Sequence, residues 1–258
     1  MENRIKTLFE SKQEGILSVY FCAGDPDIDG TVATVEALER AGVDMVEIGM
    51  PFSDPIADGP VIQGAATNAI RQGMSVGMLF EQLEGIRARV KMPLLLMGYY
   101  NVAYHYGMER FFERCAECGI DGLIIPDMPF EEYVRDYAAM AERFGVKMVF
   151  LVTPETSEER IRQLDEATDG FIYAVSSASV TGAQKEFGAA KEAYFARLSS
   201  MRLRNPWLIG FGISNRQTRQ AAEKYARGVI VGSKFVTLLE ELRDPGKAAS
   251  ALLEALAK

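Results

Sequence analysis

Strand-like and helix-like patterns alternate along the whole chain. The apolar run ILSVYFCA at 16–23 predicts a strand, and the turn GDPDIDG leads through Asp29 or Gly30 into a helix, TVATVEALERAG, closed by Gly42. The pattern then repeats. VDMVEIG (43–49) predicts a second strand, and helical periodicity fills about 61–72 and 75–91. PLLLMG, IDGLII, VKMVFLV, GFIYAV, a segment of NPWLIGFG, and GVIVG predict six further strands. Between them stand the helical segments MERFFERCAEC, FEEYVRDYAAMAERF, SEERIRQLDEAT, 188–201 and SNRQTRQAAEKYA, with 233–242 and 245–257 closing the chain. The first fifteen residues, MENRIKTLFESKQEG, are charged and amphipathic and predict an extra helix with no signal-peptide core.

The strands read as continuous apolar runs, as parallel strands covered on both faces do. Several helices end in Gly followed by an apolar, mostly β-branched run (AGVDMVEI, CGIDGLII, FGVKMVFL), the left-handed cap that turns a helix into the next strand. Eight strand–helix units in 258 residues predict an α/β fold, a (β/α)8 TIM barrel over 1–258 as a single domain. The runner-up, a doubly wound open sheet, predicts a G-x-G-x-x-G turn after the first strand, and AGDPDIDG is not one.

Composition narrows the chemistry. A net charge of −8 argues against a nucleic-acid-binding face, though backbone N–H groups can hold one small anion without Lys or Arg. No apolar run reaches the ~18 residues of a membrane span. Three cysteines are too few for a disulfide framework and suggest a cytoplasmic protein; Cys115 and Cys118 fall inside a helical pattern and read as buried positions rather than a redox pair. His105 is the single histidine, read as packed or in a loop, so a His-rich metal site is excluded and acid–base work falls to carboxylates, Tyr or Lys.

In such a barrel the site lies at the carboxyl ends of the strands. Alternation in strand two places Met45, Glu47 and Gly49 on the interior face, so Glu47 is an inward carboxylate at the catalytic end. Burial there would raise its pKa and make it a proton donor, unless it pairs with a Lys or Arg; the only strand lysine, Lys147, sits at the wrong end. The loop MPFSDPIADGP carries Asp54 and Asp58 on a backbone stiffened by three prolines, either an acidic surface loop or the second half of a two-carboxylate site. GFGIS (210–214), with Ser214 as helix N-cap, and VGS (231–233) end strands seven and eight, where phosphate-binding barrels hold the anion; each glycine alone could be a plain turn. SSASVTGAQKEFG after strand six is a candidate lid.

AGDPD, VEIGMPFSDPIADGPVIQ, SSASVTG, GFGIS and VGS, in this order from about residue 15 to 240, resemble the tryptophan synthase alpha subunit family. The resemblance implies retro-aldol cleavage of indole-3-glycerol phosphate to indole and glyceraldehyde 3-phosphate, with no metal and no cofactor in this chain. It implies a partner, the beta subunit, which carries pyridoxal phosphate and receives the indole in an alpha2beta2 heterotetramer. Carried over by motif, the catalytic pair falls on Glu47 and Asp58 and the strand-six tyrosine on Tyr173. The phosphate-binding positions fall on Gly182, Gly212 and Gly232 with Ser233, and Thr181 in the lid would contact the catalytic aspartate. Tyr20, Ile124 and Phe211 would bracket the flat indole, and the Asp54 loop would face the beta subunit. The chain departs from the family at Ser177 and Ser179 in the lid and at Tyr20 and Cys22 in strand one. Three other readings stay open: another phosphate-binding barrel enzyme, a lyase acting without a partner, and a non-catalytic regulator.

Overall fold

A computed structural model describes residues 3–175, 188–210 and 212–257. Eight strands run parallel and pair in chain order: β1 (Ile16–Cys22), β2 (Met45–Gly49), β3 (Leu94–Met97), β4 (Gly122–Ile124), β5 (Lys147–Val152), β6 (Ile172–Val175), β7 (Trp207–Gly210) and β8 (Gly228–Val231). β8 returns to β1, with Ile16 opposite Gly228, and the sheet closes. The fold is the (β/α)8 TIM barrel that the alternation of elements predicts.

The pleat divides each strand between two cores. Val46 and Ile48 of β2 pack outward with the helices, in the larger core. Met45, Leu95, Ile124, Val149, Phe171, Leu208 and Ile230 fill the barrel interior. The N-terminal helix, Arg4–Ser11, plugs the amino ends of the strands: Ile5 and Phe9 join the interior cluster, and the Phe9 and Phe171 ring centroids stand 5.7 Å apart. Burial of these two side chains stabilises the fold by roughly 1.5–3 kcal/mol each. The helix is held at its start by Asn3, whose side-chain oxygen accepts from the Ile5 N–H and whose amide donates to the Asp121 carbonyl at 2.8 Å.

Three local expectations need correction. His105 is neither packed nor in a loop; it lies exposed on a short helix, Tyr100–Tyr106, whose buried residue is Ala103. The aromatic run there hides a helical turn that Gly107 ends with a positive φ. The helix after β7 is capped by Asn215, not Ser214. The Asn215 side chain accepts from the Thr218 N–H while the Thr218 hydroxyl bonds the Asn215 backbone N–H, a reciprocal cap that a serine one residue earlier cannot form. The helical stretch 130–144 is interrupted by a π turn at Tyr133–Tyr137. Cys115 and Cys118 are buried, unpaired helix residues, as their pattern predicts.

Candidate active site

The parallel register of β1 and β2 sets Tyr20 opposite Glu47 and Ser18 opposite Met45. Glu47 is fully buried. Its Oε1 accepts a 2.7 Å hydrogen bond from Ser18 Oγ, and Oε2 is buried without a partner. Among the described residues no Lys or Arg pairs with it; Lys147 bonds Asp169 at the amino end of β5 instead. Burial therefore dominates and pushes the Glu47 carboxyl up to about 8, with the Ser18 hydroxyl pulling weakly the other way. This is a carboxyl that still carries its proton near neutrality.

Two tyrosines flank it, and two glycines admit them. A Cβ on Gly49 would collide with the Tyr20 ring, and one on Gly210 with the Tyr173 ring. Both phenols are pushed well up by burial first, and both feel the charges of Glu47 and Asp58.

The loop between β2 and the helix Pro60–Arg71 is not simply an acidic surface loop. Its Asp54 is exposed, but Asp58 turns inward and is half-buried. Tyr99, just past β3, donates from its hydroxyl to Asp58 Oδ2 at 2.9 Å and accepts from the Ala57 N–H at 3.0 Å. Burial raises the Asp58 pKa, and the Tyr99 hydroxyl lowers it. Phe52 packs on Tyr99, with ring centroids 5.0 Å apart.

Two adjoining cavities open at this end of the barrel. One, of about 280 Å³, is lined by Tyr20, Asp58, Tyr173, Gly212, Gly232 and Ser233 among others. The other, of about 240 Å³, is apolar and is walled by Phe52, Met97, Tyr99, Leu151 and Val175. Tyr20 and Asp58 line both. The first thus holds the glycines after β7 and β8 and the start of the helix Ser233–Leu242, whose first N–H groups lack intrahelical partners. A group with an anionic end and a flat apolar end matches this pair of cavities.

The structure therefore brings Asp58, Tyr20, Tyr173, Gly212, Gly232 and Ser233 to one cavity, with Glu47 fully buried opposite Tyr20. Ile124 is fully buried on the interior face of β4, and Pro126, two residues on, lines the apolar cavity. Thr181, Gly182 and Phe211, with Ser177 and Ser179, lie outside the described residues. Sequence reasoning missed Ser18, Tyr99 and Lys234. Ser18 is the one aliphatic hydroxyl in the run ILSVYFC and shares the interior face with Tyr20; Tyr99 follows the glycine that ends strand three; Lys234, next to Ser233, lines the glycine-rich cavity.

Comparison with known proteins gives one consistent result. The family model for the tryptophan synthase alpha chain matches residues 7–258. A tryptophan synthase alpha chain from Phocaeicola vulgatus is 59% identical over 255 residues, covering 98% of this chain and 99% of that protein. The crystal structure of tryptophan synthase subunit alpha from Legionella pneumophila superposes with a TM-score of 0.89 at 30% identity, over 99% of this chain and 97% of that one. A chain in the tryptophan synthase complex from Pyrococcus furiosus gives 0.84 at 32% identity, over 95% and 98%.

Proposed function

The chain belongs to the tryptophan synthase alpha chain family, a carbon–carbon lyase that cleaves indole-3-glycerol phosphate to indole and glyceraldehyde 3-phosphate, and we propose that Glu47 and Asp58 carry that reaction here. The observation behind this is a fully buried Glu47 with no cation among the described residues and one unpaired oxygen, opposite Tyr20, which lines the same cavity as Asp58.

Cleaving the bond requires the indole ring to accept an electron pair. Protonation at ring carbon 3 gives an indolenine and makes the ring a leaving group. Neutral Glu47 supplies that proton. The side-chain hydroxyl next to the breaking bond then loses its proton to Glu47, now ionised, as the aldehyde forms and the bonding electrons return to the ring. The proton count closes within one carboxyl. Asp58, whose ionised form the Tyr99 hydroxyl favours against the pull of burial, accepts from the ring N–H and offsets the positive charge that grows there. Gly212, Gly232 and Ser233 receive the phosphate at the helix start, with Lys234 in the same wall, and this fixes the reacting end at low entropic cost. Tyr20 and Tyr173 hold the ring region between the two lobes. Roles for Thr181, Gly182 and Phe211 rest on the resemblance alone.

Glu47→Gln tests the reading. It should lower indole release at least ~10²-fold, the low end for general acid catalysis, and retention of most activity would refute the proton-donor role. On the same reading the chain needs no cofactor of its own and works in the cytoplasm. Pyridoxal phosphate belongs to a beta subunit, with which it forms an alpha2beta2 assembly. Assay of the purified chain with and without a beta subunit, together with its mass in solution, checks this: equal rates and no association would make it a lone lyase.

A further inference from the structure

A proton donor that must also take a proton back needs its two oxygens held in fixed roles. Ser18 lies on the interior face of β1, one layer below Tyr20 and level with Met45. It is fully buried, and the interior side chains around that depth, Ile16, Met45, Leu95 and Ile230, are apolar. A hydroxyl there costs free energy unless it is hydrogen-bonded. Its bond runs to Glu47 Oε1 at 2.7 Å, while Oε2 has no partner among the described residues.

We infer that Ser18 is a positioning residue for Glu47: its hydroxyl pins Oε1 as a standing acceptor, so that the transferable proton resides on Oε2. The inference rests on the proton-donor reading of Glu47. In the neutral acid Oε1 is then the carbonyl oxygen and Oε2 bears the hydrogen. After transfer the same bond persists to a charged acceptor and strengthens, with no rearrangement of either side chain. The terminal torsion of a glutamate is broad and soft, so without this bond the carboxyl would swing between two equivalent poses. The other titratable groups facing Glu47 are Tyr20 on β1 and Tyr173 on β6, both phenols kept neutral by burial, with Asp58 above; β3 presents only Leu95 and Met97. Among the described residues the Ser18 hydroxyl is thus the group whose removal changes the proton affinity of Glu47 without touching the cavity wall.

The test compares Ser18→Ala with Glu47→Gln and the double variant in the full chain. Rates of indole release are measured from mildly acidic to alkaline pH. Ser18→Ala should lower kcat about tenfold with KM nearly unchanged, the worth of roughly one hydrogen bond. Because the bond favours the anion, its loss should move the alkaline limb of the kcat profile upward by about half to one pH unit. In the Glu47→Gln background the Ser18→Ala change should cost nothing further. The infrared carboxyl stretch absent from Glu47→Gln should shift to higher frequency in Ser18→Ala. An unmoved limb and band, whatever happens to kcat, would overturn the inference and leave Ser18 a packing residue. Activity retained in Glu47→Gln would instead overturn the reading beneath it.

Discussion

Asp121 and Glu47 are both buried carboxylates in the same barrel, one at each end, and the fold treats them in opposite ways. Asp121 stands just before β4, at the amino ends of the strands. It accepts from the Arg4 backbone N–H and guanidinium, from the Leu94 N–H and from Arg87, which also bonds the carbonyls of Gly119 and Met92. The N-terminal helix is thereby joined to the barrel floor by a carboxylate with two cations and two backbone donors. Among the described residues Glu47 has one hydroxyl and no cation. Burial by itself therefore does not mark a reactive group. A buried charge with complete partners is structural, and one left short of partners keeps its proton and can hand it over.

The contrast predicts opposite responses to substitution. The largest effect should come from Asp121→Ala, which strands two partly buried guanidinium groups; we expect a loss of about 3–5 kcal/mol in urea unfolding, with the remaining folded protein still active. A variant as stable as the parent would show that the floor network is dispensable. Glu47→Gln should go the other way in stability. The folded carboxyl titrates near 8 and the unfolded one near ~4.3, so the folded state binds the extra proton between these values. Parent stability from this group is complete below the unfolded pKa and is lost as pH rises through the folded one. The melting temperature of Glu47→Gln should therefore gain on the parent from about pH 5 to pH 8, and a constant gap would contradict the raised pKa. Asp58→Asn should slow indole release on the order of 10²-fold while leaving stability within about 1 kcal/mol, because a half-buried amide replaces a half-buried anion. A variant turning over normally would remove Asp58 from the charge-stabilising role. Smallest should be Tyr99→Phe. Losing the hydroxyl that favours the Asp58 anion raises that group's pKa further, so the acid limb of kcat should move up with a several-fold loss at neutral pH, about the value of one hydrogen bond.

Much of this was readable without coordinates, because it depends on local periodicity. Glycine-ended helices before apolar runs count out the barrel units. Period-two alternation in Met45–Gly49 turns Glu47 inward, and glycines after the last two strands line the cavity at that end of the barrel. Alternation also puts Ile124 on the interior face, where the structure has it, but it does not say how far up the barrel a strand reaches. His105 was misplaced because an aromatic stretch carries helix and loop signals equally well.

Sequence alone determined that an acid points into the barrel near its catalytic mouth and that no strand lysine or arginine shares that level. Only the tertiary structure decided that Ser18 reaches one of its oxygens, that Tyr99 crosses from the next strand to hold Asp58, and that Asp121 gathers two arginines while Glu47 gathers none among the described residues. Facing is a property of one strand's pleat, but partnership depends on the shear between strands and on closure of the sheet, and these belong to no single stretch of chain.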